Sequence, residues 1–280
     1  MIRVRFRWRA RGACRHPEAM TRRGASLCAA DFPAMVGVIE HPSRGVLLLD
    51  TGYDAAFAAA TDPFPERLYR WATPVEIGAE LEWAAWLAAL GLAPADVQGV
   101  VVSHFHGDHV AGLRHAAGLP VFCARADLAA LRRGGRLSRV RQGLLPALVP
   151  PVIDAGARFF EDCEERPLPS AFAPFERGRD VLGDGSLLAV ELPGHCAGHW
   201  GLALRTEDDR FVLLAADAAW SGEAIRALQP PPRLTTALLG ETRPYRRTLA
   251  ALHGAQGRNP ELAILPSHCA VSAAAFETAS

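Results

Sequence analysis

Residues 101–112 read VVSHFHGDHVAG, and within them His104, His106, Asp108 and His109 bring three imidazoles and a carboxylate into six positions of a chain with only ten histidines. On an extended loop, positions i and i+2 point to the same side. His104 and His106 can therefore share one ion, while Asp108 and His109, at a helix start, can turn toward a second. Imidazole combined with carboxylate suits Zn²⁺, with Fe or Mn as less favoured choices. A metal site needs further donors on strand ends. The chain offers His195 in Pro-Gly-His, Asp217 after a buried run and His268 in Pro-Ser-His. His16, His41, His115 and His253 lack such a context and read as turn or core residues.

These donors need elements to position them. The motif lies between a short buried strand, QGVVVS, and a helix, VAGLRHAAG, that stops at Gly118. Residues 34–51 form two apolar runs around a Pro-Ser-Arg-Gly turn, which predicts a β-hairpin with Asp50 at a strand end. Helical spacing of apolar residues predicts a helix over 76–92, and others near 125–132 and 242–253. Strands are expected at 119–123, 187–192, 200–205, 211–216 and 262–265. At the N-terminus, arginines alternate with Val4, Phe6 and Trp8 as in an amphipathic strand, with none of the apolar core of a signal peptide. Strands and helices mix throughout, which favours an α/β layered fold over residues 1–280 as one domain. Residues 132–180 interrupt the rhythm with a basic, an apolar and an acidic stretch, read as a lid-like insertion. Leu144, Leu145, Leu148, Val149 and Phe172 are its candidates to touch an apolar part of a substrate; core packing and a dimer contact are the alternatives.

With 280 residues, half of them hydrophobic, the chain can bury a large core. Thirty basic and thirty acidic residues balance, so nothing attracts nucleic acid or anionic lipid. Six scattered cysteines without a CxxC pair fit free thiols in a reducing compartment, and hence the cytoplasm. The uncharged apolar stretch GLLPALVPPVI at 143–153 is too short and proline-rich to be a transmembrane segment.

Together with GHCAGH at 194–199, the HFHGDH stretch resembles the metallo-β-lactamase superfamily, whose members share a four-layer αβ/βα sandwich with a metal site between its edges. That resemblance implies one ion on His104, His106 and His195, another on Asp108, His109 and His268, and Asp217 bridging them. It implies that Asp50 orients a ligand from behind, and that His199 packs or hydrogen-bonds instead of ligating. Cys196 and Cys269 each follow a ligand and read as packing residues. Within the superfamily, LLLDTGY and SHFHGDHVAG are most similar to the N-acyl homoserine lactonase-like branch. The implied activity is that of a dinuclear zinc hydrolase acting on a lactone, an ester or a related carbonyl compound, with phosphotriesters within range. Asp108 or Asp217 would pass a proton to the leaving group. The departure is Trp220: lactonases of this branch typically carry Tyr three residues after the bridging aspartate, and an indole has no hydroxyl to steady a carbonyl oxygen. The alternative is a mononuclear iron enzyme resembling persulfide dioxygenases, with a nuclease or a non-catalytic binding protein further off. The expected partner is a small-molecule substrate, and a homodimer is left open.

Overall fold

The computed structural model describes residues 1–278. Seven strands form a first sheet: β1 (Arg3–Pro17), β2 (Ala29–His41), β3 (Gly45–Leu49), β4 (Val75–Glu76), β5 (Val97–Val101), β6 (Val121–Cys123) and β7 (Ala157–Phe159). Their spatial order is β7-β6-β5-β3-β2-β1, with the two-residue β4 also pairing β1. A second sheet runs in chain order: β8 (Glu165–Pro167), β9 (Arg177–Asp180), β10 (Leu188–Glu191), β11 (Trp200–Thr206), β12 (Phe211–Ala216) and β13 (Ala263–Pro266). The start of β1 joins the two, pairing in parallel with β11 at Arg3↔Arg205 and Val4↔Thr206.

Alternation along the strands builds the layers. In β1, Val4, Phe6 and Trp8 turn inward while Arg3 and Arg5 stay at the surface. Between the sheets they meet Ile39, Leu47 and Leu49 on one side and Leu202, Leu204, Val212 and Leu214 on the other. Residues of opposite parity, such as Val38, Leu48 and Val100, face outward onto Trp86 and Leu87 of the helix Trp83–Ala89 and Leu128 and Leu131 of the helix Arg125–Arg132. On the far side Ala203, Leu213 and Ile264 lie under Leu249, Leu252 and Ala255 of the helix Thr242–Arg258. Helix, sheet, sheet and helix are thus the four layers, an α/β sandwich of the metallo-β-lactamase type.

The predicted hairpin and the motif's place after β5 match the structure, but the predicted helix over 76–92 is broken. It consists of β4, a 3₁₀ turn at Ala79–Leu81 and a seven-residue helix. The break follows from tertiary bonds that outbid local propensity. β4 pairs with β1, and the fully buried Arg11 donates from Nε to the Leu81 carbonyl at 3.0 Å. Arg11 also pairs with Asp54 at 2.7 Å and donates to the Thr51 carbonyl at 2.7 Å, which ties β1 to the loop after β3. The helix after the motif is likewise short, Gly107–Val110 followed by a 3₁₀ turn at Leu113–Ala116. There the Gly112 N–H is taken by Thr51 Oγ1 at 3.1 Å.

Residues 132–180 are woven into both sheets as β7, β8 and β9. This corrects the expectation for its apolar run. Leu144, Leu145, Leu148 and Val149 are at most 2% exposed, inside the core on the outer face of the first sheet. Phe172 is fully buried beneath the second sheet, 5.4 Å from the Phe211 ring. These five side chains gain more by leaving water against the scaffold than a solvated lid would offer them, which is the core packing held open as an alternative. Leu148→Ala is therefore expected to lower unfolding stability by about 2–5 kcal/mol in chemical denaturation. A loss below about 0.5 kcal/mol would fit an exposed surface position instead.

Candidate metal centre

Strand ends deliver the polar residues to one edge of the sandwich. Asp50 follows β3, Ser103 and His104 follow β5, Asp217 follows β12, and Ser267 and His268 follow β13. Parallel pairing of β3 with β5 and of β12 with β13 brings carboxyl ends side by side, where open α/β sheets place ligands. His195 arrives on the turn between β10 and β11, where Gly194 has φ +127° and a Cβ would meet the Tyr245 backbone nitrogen at 2.1 Å. Asp50 and Ala216 hold left-handed φ values of 61° and 45°, conformations that L-residues adopt at a cost.

Hydrogen bonds behind the ring nitrogens settle how the imidazoles point. Ser103 donates its hydroxyl to Asp50 Oδ2 at 2.8 Å, so its oxygen is free to accept from His104 Nδ1–H at 3.0 Å. His109 donates from Nδ1 to the same Asp50 oxygen at 2.8 Å, and His268 from Nδ1 to the Pro33 carbonyl at 2.8 Å. Each of the three is left with Nε2 facing inward. Asp50 thus orients His109 directly and His104 through Ser103. His199 donates from Nδ1 to the Leu192 carbonyl at 3.0 Å, and its Nε2 accepts the Asp217 backbone N–H at 3.0 Å. Both its nitrogens are used, so it fixes Asp217 and is no ligand.

Two clusters result: His104, His106 and His195, and beside them Asp108, His109, Asp217 and His268, each with its candidate donor atoms within 4.8 Å of one another. Asp217 Oδ2 lies 3.3 Å from His195 Nε2 and 3.2 Å from His268 Nε2, between the two groups. Among the described residues, the Nε2 atoms of His104 and His109 and Oδ1 of Asp217 are buried without a hydrogen-bond partner, and His106 turns its Nδ1 into the cluster, 3.0 Å from His195 Nε2. Such orphaned atoms are rare in folded proteins, and this nitrogen and oxygen donor set fits divalent transition metals. Cys196 and Cys269 stay out of both clusters. The Cys269 sulfur accepts from Gly222 N–H at 3.4 Å and the Ser272 hydroxyl at 3.0 Å.

A cavity of 520 Å³ opens over these clusters, with His106, Asp108, His195, Asp217 and His268 on its floor. Its walls are mainly apolar, among them Met20, Phe32, Leu68, Leu137, Val140 and Trp220. From residues 132–180, the helix Arg136–Arg141 and Gly143 border the cavity, one step before the run expected there. Trp220 is a wall residue, 5.9 Å from the His195 ring and 6.5 Å from that of His268, and its Nε1–H has no partner. His16, read from the sequence as a turn or core residue, also lines the cavity, stacked on Phe32 at 4.0 Å. His41, His115 and His253 do play structural parts, bonded to the Ser43 N–H, Asp54 and the Ile225 carbonyl. The sequence reading also passed over Tyr53 and Tyr69. Both line the cavity, with the Tyr69 hydroxyl near the Gly107 amide and the Tyr53 hydroxyl near Cys14.

Charge divides the two clusters. Burial and the neighbouring imidazoles depress His104 well below the usual histidine range, and burial takes His106 down to about 4. Burial opposes charge on His109 and His268 too, but Asp108 and Asp217 outweigh it and raise both well above that range. The first cluster therefore offers neutral nitrogens at pH 7, while the second must give up protons before it can ligate. Zinc binding at pH 7 is expected to release protons, seen as a binding heat that varies with the ionisation enthalpy of the buffer. Affinity at the second cluster should fall more steeply on acidification than at the first. A heat independent of buffer would refute the assignment of these protons.

Comparison with known proteins identifies the family and the fold. The family model described as "Metallo-beta-lactamase superfamily" matches residues 29–256. The chain is 27% identical to an N-acyl homoserine lactonase, AttM, of Azorhizobium caulinodans over 82% of its own length and 83% of that protein. It is also 27% identical to an N-acyl homoserine lactonase of Bacillus cereus, over 49% of itself and 44% of that protein. Among solved structures, an N-acyl homoserine lactone hydrolase with N-hexanoyl-L-homoserine bound at its catalytic metal centre superposes with a TM-score of 0.74 at 17% identity, covering 100% of this chain and 97% of that one. AidC, a dizinc quorum-quenching lactonase, does so with a TM-score of 0.62 at 14% identity over 96% and 92%. At such identities the structural likeness speaks for the fold. With the family match spanning most of the sequence, the chain belongs to the metallo-β-lactamase superfamily and is most similar within it to the N-acyl homoserine lactonase-like branch.

Proposed function

We propose that the chain is a metallo-hydrolase that binds two divalent ions, zinc foremost, and opens a lactone or cleaves an ester or related carbonyl compound, with phosphotriesters as a further class. The observation that carries this reading is the pair of adjoining ligand clusters, with orphaned donor atoms, on the floor of an apolar-walled cavity. The lactonases among its relatives support the substrate class. All six cysteines are free thiols, which supports the cytoplasm as its place of work.

His104, His106 and His195 would hold one ion and Asp108, His109 and His268 the other, with Asp217 reaching both. Two such ions bound there would supply a hydroxide at neutral pH and polarise the scissile carbonyl or phosphoryl oxygen. The chain's own groups do the rest. In the metal-free site His109 and His268 hold Asp108 and Asp217 ionised against the cost of burial, a part that bound ions would take over, so either carboxylate would be available to take up a proton and return it to the leaving group. Asp108 is the more exposed of the two on the cavity floor, 8% against 3% for Asp217, whose Oδ2 lies between His195 and His268, so Asp108 is the better placed for that transfer. The apolar walls exclude water and accept the non-reacting part of the substrate, while Trp220 presents an aromatic face and one free N–H beside the floor.

Protein purified without added metal is expected to carry close to two transition-metal ions per chain, and Asp217→Ala to lower metal content and activity together. One iron and no zinc in elemental analysis would replace this reading with a persulfide dioxygenase-like oxidoreductase. A hydrolysis screen of the zinc-loaded protein against N-acyl homoserine lactones, aryl esters, thioesters and phosphotriesters tests the substrate class, and no turnover on any of them would leave a binding protein. Trp220→Ala should lower kcat/KM on the best aryl substrate about tenfold, equivalent to about 1.4 kcal/mol. Unchanged kinetics would remove Trp220 from the substrate site.

A further inference from the structure

Beneath the centre, outside the ligand clusters, lies a buried carboxyl that the chemistry above does not use. We propose that Asp127 is a positioning residue, which fastens the His104–His106 loop and the His195 turn to one support and so sets the geometry of the His104, His106 and His195 cluster. The inference rests on reading that cluster as a metal site, and it concerns the assembly of the site and not its reaction.

Asp127 is the third residue of the helix Arg125–Arg132, which follows β6, and only 1% of it is exposed. Its Oδ2 accepts the backbone N–H of Phe105 at 2.7 Å. That amide stands between His104 and His106, so fixing it fixes the two Cα–Cβ directions on either side. Against the same carboxyl lies the thiol of Cys196, the residue directly after His195. The turn carrying His195 also presses on this helix by its backbone: a Cβ at Gly198 would come 2.9 Å from Ala124 Cβ, Asp127 Cβ and the Asp127 nitrogen. One helical turn therefore supports both ligand-bearing segments, which are about ninety residues apart in the chain, a span whose closure must be offset by contacts of this kind.

The carboxyl is expensive where it stands. Burial pushes its pKa up to about 7, and among the described residues no arginine pairs with it and Oδ1 has no hydrogen-bond partner. An apolar side chain would fill the space at lower cost but would leave the Phe105 N–H unbonded. The second cluster has other supports, Asp50 behind His109 and the Pro33 carbonyl behind His268. Removal of Asp127 should therefore be felt at one cluster and not the other.

The test is a zinc titration against a competing chelator, with thermal unfolding of the metal-free proteins beside it. Asp127→Ala is expected to weaken one of the two sites by about 10–100-fold, the range for groups that orient ligands. Asp127→Asn retains an oxygen for the Phe105 N–H and should restore the affinity to within about threefold of wild type. In a His104→Ala background the same Asp127→Ala change should alter the affinity of the remaining ion by no more than about twofold. Equal losses at both sites, or an effect that persists undiminished without His104, would overturn the proposal and leave Asp127 a general stabiliser. Should Asp127→Ala not fold, Cys196→Ala carries the same question: a smaller loss confined to the same site is expected, and no loss there would overturn it. A wild-type chain that took up a single ion would end the two-ion hydrolase reading, while the Asp127→Ala effect on that ion would still decide this one.

Discussion

Five imidazoles and two carboxylates meet out of water at one edge of this sandwich, and much of the surrounding architecture exists to make that tolerable. Isolated buried charge is costly enough that such groups normally neutralise. Here opposite charges sit beside each other, Asp108 and Asp217 against His109 and His268, and the remaining imidazoles stay neutral. Behind them a second layer of bonds leaves little freedom: Asp50 takes the Ser103 N–H, the Ser103 hydroxyl and His109 together. Removing any one partner would leave an uncompensated polar group in the interior, which is why the cluster behaves as a unit.

That unit depends on backbone that is itself under constraint. Asp50 and Ala216, each at the end of a strand feeding the site, adopt left-handed φ values without being glycine. Surrounding bonds pin both: the Asp50 N–H donates to the Val101 carbonyl at 2.8 Å, and the Ala216 carbonyl accepts the Ser267 N–H at 3.1 Å. Local strain of this kind persists where neighbouring structure overdetermines it, and here it turns two carboxylates off their strands toward the imidazoles.

The candidate ligand clusters were legible in the sequence because metal chemistry restricts residue type and spacing together. His104, His106, Asp108 and His109 announce themselves within six residues, and the strands before Asp217 and His268 are short apolar runs with no competing interpretation. Periodicity found β5, β10, β11 and β12 for the same reason. What failed depended on distant partners. The 76–92 stretch carries helical spacing but is interrupted by pairing with β1 and by a buried arginine, neither of which a local window contains. The run around Leu148 is as apolar as a substrate wall would be, and only the fold decides that it faces the core and that Val140, a few residues earlier, borders the cavity. His16, Tyr69 and Asp127 are ordinary residues of their own segments; their significance comes from what lies across space.

The pairing of Arg3 and Val4 with Arg205 and Thr206 has a consequence for how the chain comes to exist at all. The hydrogen-bonded seam between the two sheets closes a loop of about two hundred residues, and contacts of such separation form late because their closure entropy precedes any reward. Ligands drawn from both sheets, out to His268, cannot meet before that seam does. During synthesis the first sheet is complete by β7 while the second is still emerging, so its inner face must wait uncovered, a state in which apolar surface is prone to aggregate. A metal ion arriving then finds only the His104–His109 half of its cage. A metal ion held by these residues would thus be a clasp on a finished structure and not a seed for it, and its binding would stabilise the finished form more than speed its making.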